Sequence, residues 1–236
     1  MQKFQAALLR ALPLTQDVVQ YDFSWTDIAV EFKSGQFFML QVEDAQGKVS
    51  RAYSVASSPS NKDFFSLCVK LLPDGRGSAL LRGLKPGESA SFMAPFGHFF
   101  VNDAGFTSAK DIVMVATGTG LAPFMSMLPD LFEKGFSGKI DLYFGVRHEA
   151  DLFYVDELRA WEAAHSHFKA HVSLSQPSET WTGLKGRVTE FLNELAYDKV
   201  QVYICGNGDM VKGVKTSMQE KGVPKEDLHW EQFTAL

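Results

Sequence analysis

Along the first hundred residues, apolar and polar positions alternate in short bursts. Lys3–Leu12, Val18–Trp25, Gln36–Val42, Ser50–Ala56, Phe64–Leu71 and Glu88–Met93 are each rich in β-branched, aromatic or other apolar residues. A period of two sends successive side chains to opposite faces, which is the signature of a half-buried strand. Turn-forming clusters separate the bursts, at Asp44–Gly47, Ser57–Asp63 and Lys85–Gly87. Only Gly77–Gly83 reads as helix. Several short strands at close spacing predict a small antiparallel barrel.

The rhythm changes after Asn102–Ser108. Asp111–Ala116 is a continuous apolar run and predicts a buried strand, followed by a helix from about Leu121 to Lys134. Ile140–Val146, Phe168–Leu174 and Val200–Ile204 repeat the strand type. Helical patterns fall at Val155–Ala164, Val188–Leu195 and Asp209–Lys221. Strands alternating with amphipathic helices predict βαβ units and a parallel sheet. The chain therefore divides into two domains, a β-barrel over 1–104 and an α/β domain over 105–236. There is no internal repeat and no low-complexity tract.

Composition narrows the function classes. The formal charge is −5, so no strong basic field exists to drive general binding to nucleic acid or an anionic membrane. A local basic docking patch remains compatible with that total. The two cysteines, Cys68 and Cys205, are too few for a disulfide framework or a four-cysteine metal or iron–sulfur site. No apolar run approaches the length of a membrane span, and Met1–Arg10 lacks a secretory pattern. A cytoplasmic protein with reduced thiols is expected. The 20 phenylalanines either fill a core or line a site for a flat ligand. Phe37, Phe38, Phe64, Phe65, Phe124 and Phe132 fall on predicted strands or an amphipathic helix and read as core.

Five segments carry candidate chemistry. Thr117-Gly118-Thr119-Gly120-Leu121-Ala122-Pro123 follows a buried strand and opens a helix. Glycines there let backbone approach a phosphate, the helix N-terminus favours negative charge, and proline suits the first turn. The third glycine of the full G-x-G-x-x-G pattern is absent, and a plain strand-to-helix turn is the alternative. Arg51-Ala52-Tyr53-Ser54 places Arg51 and Tyr53 on one strand face and Ser54 on the other. Arginine offers a planar fork for phosphate and tyrosine a flat face, although an ordinary edge strand has the same appearance.

The third segment joins Leu67-Cys68-Val69-Lys70 to Gly75-Arg76-Gly77-Ser78, where a helix start presents amides and a hydroxyl, or simply an N-cap. The fourth, Cys205-Gly206-Asn207-Gly208-Asp209-Met210, ends an apolar strand where open α/β sheets bind ligands. A lone cysteine there is equally at home as core. The fifth is the tail Leu228-His229-Trp230-Glu231-Gln232-Phe233. His165, His167 and His171 run from a helix end into a strand without patterned acid or cysteine ligands, so a solvated turn is expected there and no metal site.

Taken in order, R-x-Y-S, G-x-G-S, G-T-G-x-A-P, C-G-x-x-x-M and E-x-F closely resemble the ferredoxin–NADP reductase superfamily of FAD- and pyridine-nucleotide-binding proteins. The resemblance spans Gln36 to Phe233. It implies that Arg51 binds the flavin pyrophosphate, Tyr53 packs on the isoalloxazine and the Ser54 hydroxyl sits near flavin N5. Cys68, Val69 and Lys70 resemble the strand whose backbone lines the flavin, and Gly77 and Ser78 the residues that hold its pyrophosphate. Ala94-Pro95-Phe96-Gly97 resembles a structural turn ending the barrel.

In the second domain, Thr117, Gly118, Thr119 and Gly120 resemble the loop for the nucleotide pyrophosphate. Cys205, followed by Gly206, resembles the cysteine beside the nicotinamide. Glu231 resembles a C-terminal acid, and is the candidate for handling a proton. Phe233 resembles a flavin-shielding aromatic, with Leu236 extending the chain slightly beyond it. Phe96 and Phe99 are further candidates for touching a flat cofactor. The implied chemistry is hydride transfer from NADH or NADPH to FAD, with nicotinamide C4 about 3–3.5 Å from flavin N5, at a cleft between the domains.

Arg147 after Ile140–Val146, and Arg187 in Gly186-Arg187-Val188-Thr189, are candidates to meet a 2′-phosphate. Gln176 stands where NADPH-preferring relatives often carry a base, which inclines the donor to NADH. With no cluster of its own, the chain is expected to act as a monomer that passes electrons to a separate protein, a ferredoxin, flavodoxin or oxygenase component. The competing readings are a reductase of free flavin and a non-catalytic subunit that retains the fold.

Overall fold

The computed structural model describes residues 2–25, 30–107, 110–194 and 199–233. Ser108, Leu195 and Leu236, which bound or follow expected elements, lie outside the described residues. Contacts divide the chain into two compact units.

In the first unit, six strands form one sheet: β1 (Gln2–Pro13), β2 (Val18–Trp25), β3 (Phe37–Asp44), β4 (Gly47–Ser54), β5 (Phe64–Lys70) and β6 (Ser89–Phe96). Their spatial order is β4-β3-β6-β1-β2-β5, and every neighbouring pair is antiparallel. The sheet's two edges meet just beyond β4, through a Val55–Leu67 bridge and an Ala56 N–H that donates to Ser66 O at 2.8 Å. The expected barrel is thus an antiparallel sheet drawn closed at that point. β6 runs on through Ala94, Pro95 and Phe96, so the turn begins only at Gly97, whose φ is +93°.

Phenylalanine fills this barrel. Phe23, Phe38, Phe65 and Phe92 have no exposed surface. Phe23 stacks on Phe65 at 5.5 Å and Phe4 on Phe92 at 5.7 Å. Each buried ring contributes roughly 1.5–3 kcal/mol through removal from water. The buried carboxylate of Asp22 accepts from Arg10 at 2.6 Å, Ser66 at 2.6 Å and Gln20 at 2.8 Å, which offsets its desolvation. Helix α1 (Arg76–Gly83) closes over the barrel with Leu81 buried in the same core.

The second unit opens with the short helix α2 (Asp103–Thr107) and then β7 (Asp111–Thr117). A 3₁₀ turn at Gly118–Leu121 leads into α3 (Ala122–Glu133). There follow β8 (Ile140–Val146), α4 (Val155–Ala164), β9 (Phe168–Leu174), the two-residue β10 (Leu184–Lys185), β11 (Val200–Asn207), α5 (Gly208–Glu220) and β12 (Leu228–Phe233). All pairings are parallel, in the order β10-β9-β8-β7-β11-β12. The chain builds outward from β7 to β8 and β9, then resumes on the other side of β7 with β11. The carboxyl ends of β7 and β11 therefore flank a topological switch point, where open α/β sheets place their ligand crevice.

Val188–Glu194 is a 3₁₀ segment and not the expected α-helix. It buries Val188 and Leu192, and a bond runs from Glu190 N–H to Arg187 O at 2.9 Å, the tighter i→i+3 pattern. α3 follows β7 in the chain, yet its contacts group it with the first unit. Ser126 Oγ, fully buried, donates to Ser57 O at 2.6 Å, and Ser34 Oγ donates to Asp130 at 2.7 Å. No helix among the described residues is long and apolar enough to cross a membrane.

Candidate functional site

In the first unit, the β3–β4 register sets Arg51 opposite Leu40 and Tyr53 opposite Phe38. Lateral partners point the same way, so Arg51 and Tyr53 share the inner face that α1 covers. Gly77, in the first turn of α1, lies directly against them. A Cβ there would come within 2.5 Å of Tyr53 Oη and 3.1 Å of Arg51 Cγ. The absent side chain is what lets the helix start approach the strand.

The charges at this point are arranged for an anion. Arg76 is committed to Asp44 by two bonds of 2.7 and 2.6 Å, which hold the Asp44 carboxyl below its usual range. Arg51 makes only a bond to Ser50 O at 3.0 Å and has no carboxylate partner among the described residues. The amides of Gly77 and Ser78 open the helix, where no intrahelical acceptor exists for them. A guanidinium with no carboxylate on it among the described residues, beside these amides, fits a pyrophosphate. Burial pushes Tyr53 up to about 12, the Arg51 charge opposing, so its phenol stays neutral. Ser78 Oγ accepts the Leu72 N–H at 2.9 Å, so its oxygen shapes the preceding loop and leaves the hydroxyl proton to donate.

Ser54 is buried at the end of β4 in register with Phe37. Phe37 points to the same face, away from Phe38, and stacks on Phe96 at 5.8 Å with rings 15° apart. The expectation that Phe37 belongs to the barrel core is therefore corrected: its register puts it on the outer face beside Ser54. Phe99, in contrast, is buried edge-on against Phe124 at 5.8 Å and is core. On β5, Cys68 and Val69 are buried, while exposed Lys70 pairs with Asp17 at 2.9 Å.

In the second unit, two glycines bring β7 and β11 together at the switch point. A Cβ on Gly120 would collide with the carbonyl of Cys205, and one on Gly206 with Thr117 Oγ1. Gly118 and Gly206 have φ of +53° and +151°, conformations suited to glycine. Thr117, Gly118, Thr119 and Gly120 thus sit across from Cys205 and Gly206. Asn207 ties the two sides, its Nδ2 donating to Thr117 Oγ1 at 3.4 Å while its Oδ1 accepts the Met210 N–H at 2.9 Å and caps α5. Asn207 was not singled out from sequence, although a short polar residue between an apolar strand and a helix is an N-cap signal.

The tail is strand β12, parallel to β11, with Cys205 paired to Glu231 and Asn207 to Phe233. Sequence pattern alone does not bring these residues together. Burial raises the Cys205 thiol well above its usual range, and the Glu231 charge adds to that. Arg147 and Arg187 are exposed at the carboxyl ends of β8 and just past β10, and neither pairs with a carboxylate among the described residues. His148 Nδ1 lies 2.8 Å from Gln176 O, which joins the loops after β8 and β9. His171 bonds Asp141 at 2.7 Å and stacks on Tyr143 at 4.5 Å, apart from the His165–His167 turn.

Comparison with known proteins agrees with this division of labour. The oxidoreductase FAD-binding domain matches residues 5–101, and the oxidoreductase NAD-binding domain matches residues 114–216. A ferredoxin–NADP reductase B from Sorangium cellulosum is 33% identical over 240 residues, covering 98% of this chain and 97% of that one. The chain belongs to the ferredoxin–NADP reductase family. Within that family it is a flavin- and nicotinamide-dependent oxidoreductase. The anthranilate 1,2-dioxygenase electron transfer component of Acinetobacter baylyi is 30% identical over 93% of this chain, which spans 63% of its length. The crystal structure of a Neisseria gonorrhoeae ferredoxin NADP+ reductase with bound FAD and NADP superposes with a TM-score of 0.85 at 25% identity, covering 98% of this chain and 99% of that one.

Proposed function

We propose that this reductase takes hydride from NADH or NADPH onto FAD and delivers electrons to a separate protein, a ferredoxin, flavodoxin or oxygenase component. The observation that carries the flavin half is the Arg51 guanidinium, without a carboxylate partner among the described residues, beside Gly77 and Tyr53 at the start of α1. FAD supplies the redox chemistry, receiving electrons as a pair and releasing them singly. Arg51 and the Gly77 and Ser78 amides hold the pyrophosphate, Tyr53 offers a neutral ring to the flavin, and Ser54 a hydroxyl near N5. The Cys68-Val69-Lys70 backbone lines the same group.

For the donor, Thr117, Gly118, Thr119 and Gly120 cradle the nucleotide pyrophosphate. Cys205, a neutral buried thiol followed by Gly206, sets the nicotinamide's approach. Glu231, adjacent to Cys205 by strand register, would hold a proton near that ring, and Phe233, paired with Asn207 on the same strand, is the aromatic proposed for the cofactor. The exposed guanidinium of Arg147, with Arg187 beyond β10, supports acceptance of a 2′-phosphate, while Gln176 in place of a basic residue inclines the donor to NADH. Relatives named as electron transfer or reductase components of oxygenases support the separate acceptor. Two buried cysteines that form no disulfide suit a reducing cytoplasm, and a monomer is the oligomeric state proposed with it. Anaerobic mixing of the purified flavoprotein with NADH and with NADPH is the deciding experiment. Rapid bleaching of protein-bound FAD is expected, and flavin that neither donor bleaches would refute the reading.

A further inference from the structure

We propose that Glu149 sets the donor preference of this reductase: its carboxylate occupies the hydrogen-bond donors of the loop after β9 and turns away a 2′-phosphate in favour of NADH. The inference rests on the reading that Arg147 and Arg187 stand where the adenosine end of the nucleotide is held. The loops after β8 and β9 are zipped together. Ser175 N–H donates to Val146 O at 3.1 Å and Gln176 N–H to Arg147 O at 2.9 Å, which carries the parallel ladder past the ends of both strands. His148 Nδ1 lies 2.8 Å from Gln176 O. Beyond them, Glu149 Oε1 accepts the Ser178 N–H at 2.9 Å and the Ser178 hydroxyl at 2.6 Å. The Ser178 hydroxyl has used its one proton there, so the Thr180 hydroxyl, 2.9 Å away, donates to Ser178 Oγ.

A backbone amide and a hydroxyl converging on one point are the donors a loop offers to a phosphate oxygen. Here a carboxylate of the chain itself fills that point. Its bonds, that from the Ser178 hydroxyl first, hold the Glu149 carboxyl below its usual range, so it is ionised at neutral pH. Among the described residues it pairs with no lysine or arginine, so its charge is anchored without being cancelled. Arg147, two residues earlier, draws a 2′-phosphate into the same junction of loops. That phosphate brings its own negative charge against the Glu149 carboxylate and finds the Ser178 donors already taken. NADH brings an uncharged hydroxyl and meets neither penalty. Gln176, also in this junction, adds no cation to offset the acid.

The test uses the holoprotein and two nucleotides that differ only in the 2′-phosphate, 2′,5′-ADP and 5′-AMP, titrated by calorimetry. In Glu149→Gln the amide oxygen still accepts from Ser178 while the charge is gone. Affinity for 2′,5′-ADP relative to 5′-AMP should rise about three- to tenfold in Glu149→Gln, and at least as much in Glu149→Ala. The ratio of KM for NADPH to KM for NADH should fall to match, with the ratio of the kcat values unmoved. Bound FAD per polypeptide checks folding and should stay at wild-type level. An unchanged affinity ratio in Glu149→Gln, a gain confined to Glu149→Ala, which would mark a mere loop brace, or an equal gain in Glu179→Gln, which would mark a diffuse field, would each overturn the proposal. Wild-type protein that binds neither nucleotide would remove the nucleotide reading and Glu149 with it, whereas binding with an unmoved ratio removes Glu149 alone.

Discussion

The backbone of Gly120 lies against the carbonyl of Cys205, close enough that any Cβ at position 120 would collide with that oxygen. The obstacle is backbone and cannot move aside as a side-chain tip would. Gly120→Ala is therefore expected to destabilise the nucleotide-binding unit by about 1–3 kcal/mol and to weaken NAD(P)H binding. Gly118 gives the contrast: its φ is +53° with open space around it. Asparagine tolerates that conformation, so Gly118→Asn should melt near the wild-type temperature while Gly120→Asn should not. Thermal melts of the set, followed by nucleotide titration, check both.

At the flavin cradle, loss of charge-assisted bonds from Arg51 should cost about 1.5–3 kcal/mol, or roughly ten- to a hundredfold in FAD affinity. Arg51→Lys should recover only part, since the planar fork is gone. Gly77→Ala should also shed flavin, because its Cβ would stand 2.5 Å from Tyr53 Oη. Tyr53 Oη is a side-chain end, so adding Tyr53→Phe should restore some binding. Flavin absorbance per polypeptide after desalting is the measurement. Full occupancy in Arg51→Ala would remove that residue from the pyrophosphate site.

Much of this was legible in sequence because the deciding signals are local. The continuous apolar runs of β7, β8 and β11, and the strand-glycine-helix order after β7, follow from residue type and spacing alone. β12 was not legible: Leu228–Phe233 mixes His, Glu and Gln with its aromatics because it is an edge strand with one side open. The pairing of Cys205 with Glu231 depends on that strand's register, and no local pattern encodes it. Phe37 misled for a related reason. It adjoins Phe38 in an aromatic run, and only the β3–β4 register shows which of the two faces inward. Gly77 stood out as a helix-start glycine, whereas its contact with Tyr53 is a long-range fact.

Cys205 makes a prediction with a defined sign. Its folded pKa lies well above the 9.0 of a free thiol, first through burial and then through the Glu231 charge. Below that value both folded and unfolded chains keep the proton, and the contribution is constant. Above about pH 9 the unfolded chain ionises first, so stability falls as pH rises. Cys205→Ala should flatten this alkaline decline in melting temperature. Glu231→Gln, by lowering the folded pKa, should reduce it in part. The native thiol should also resist Ellman's reagent near neutral pH, since the thiolate is the nucleophile. Rapid labelling of Cys205 in the folded protein would contradict its burial.

Donor choice rests on the exposed cations beyond β8 and β10. Arg147 has no carboxylate partner among the described residues, so its fork is available to a 2′-phosphate, where NADH offers only an uncharged hydroxyl. Arg147→Ala should raise KM for NADPH by about tenfold, the value of one charge-assisted contact, and leave KM for NADH and both kcat values near wild type. Added salt should raise KM for NADPH in the same direction and leave KM for NADH nearly unchanged, because an exposed pair is screened. Arg187→Ala should act likewise if the two guanidinium groups meet the same phosphate, and the double variant should then show less than the product of the single effects. Steady-state kinetics with each donor decide the matter. An equal rise in KM for both donors would place Arg147 at the shared part of the nucleotide and strip it of any role in telling NADPH from NADH.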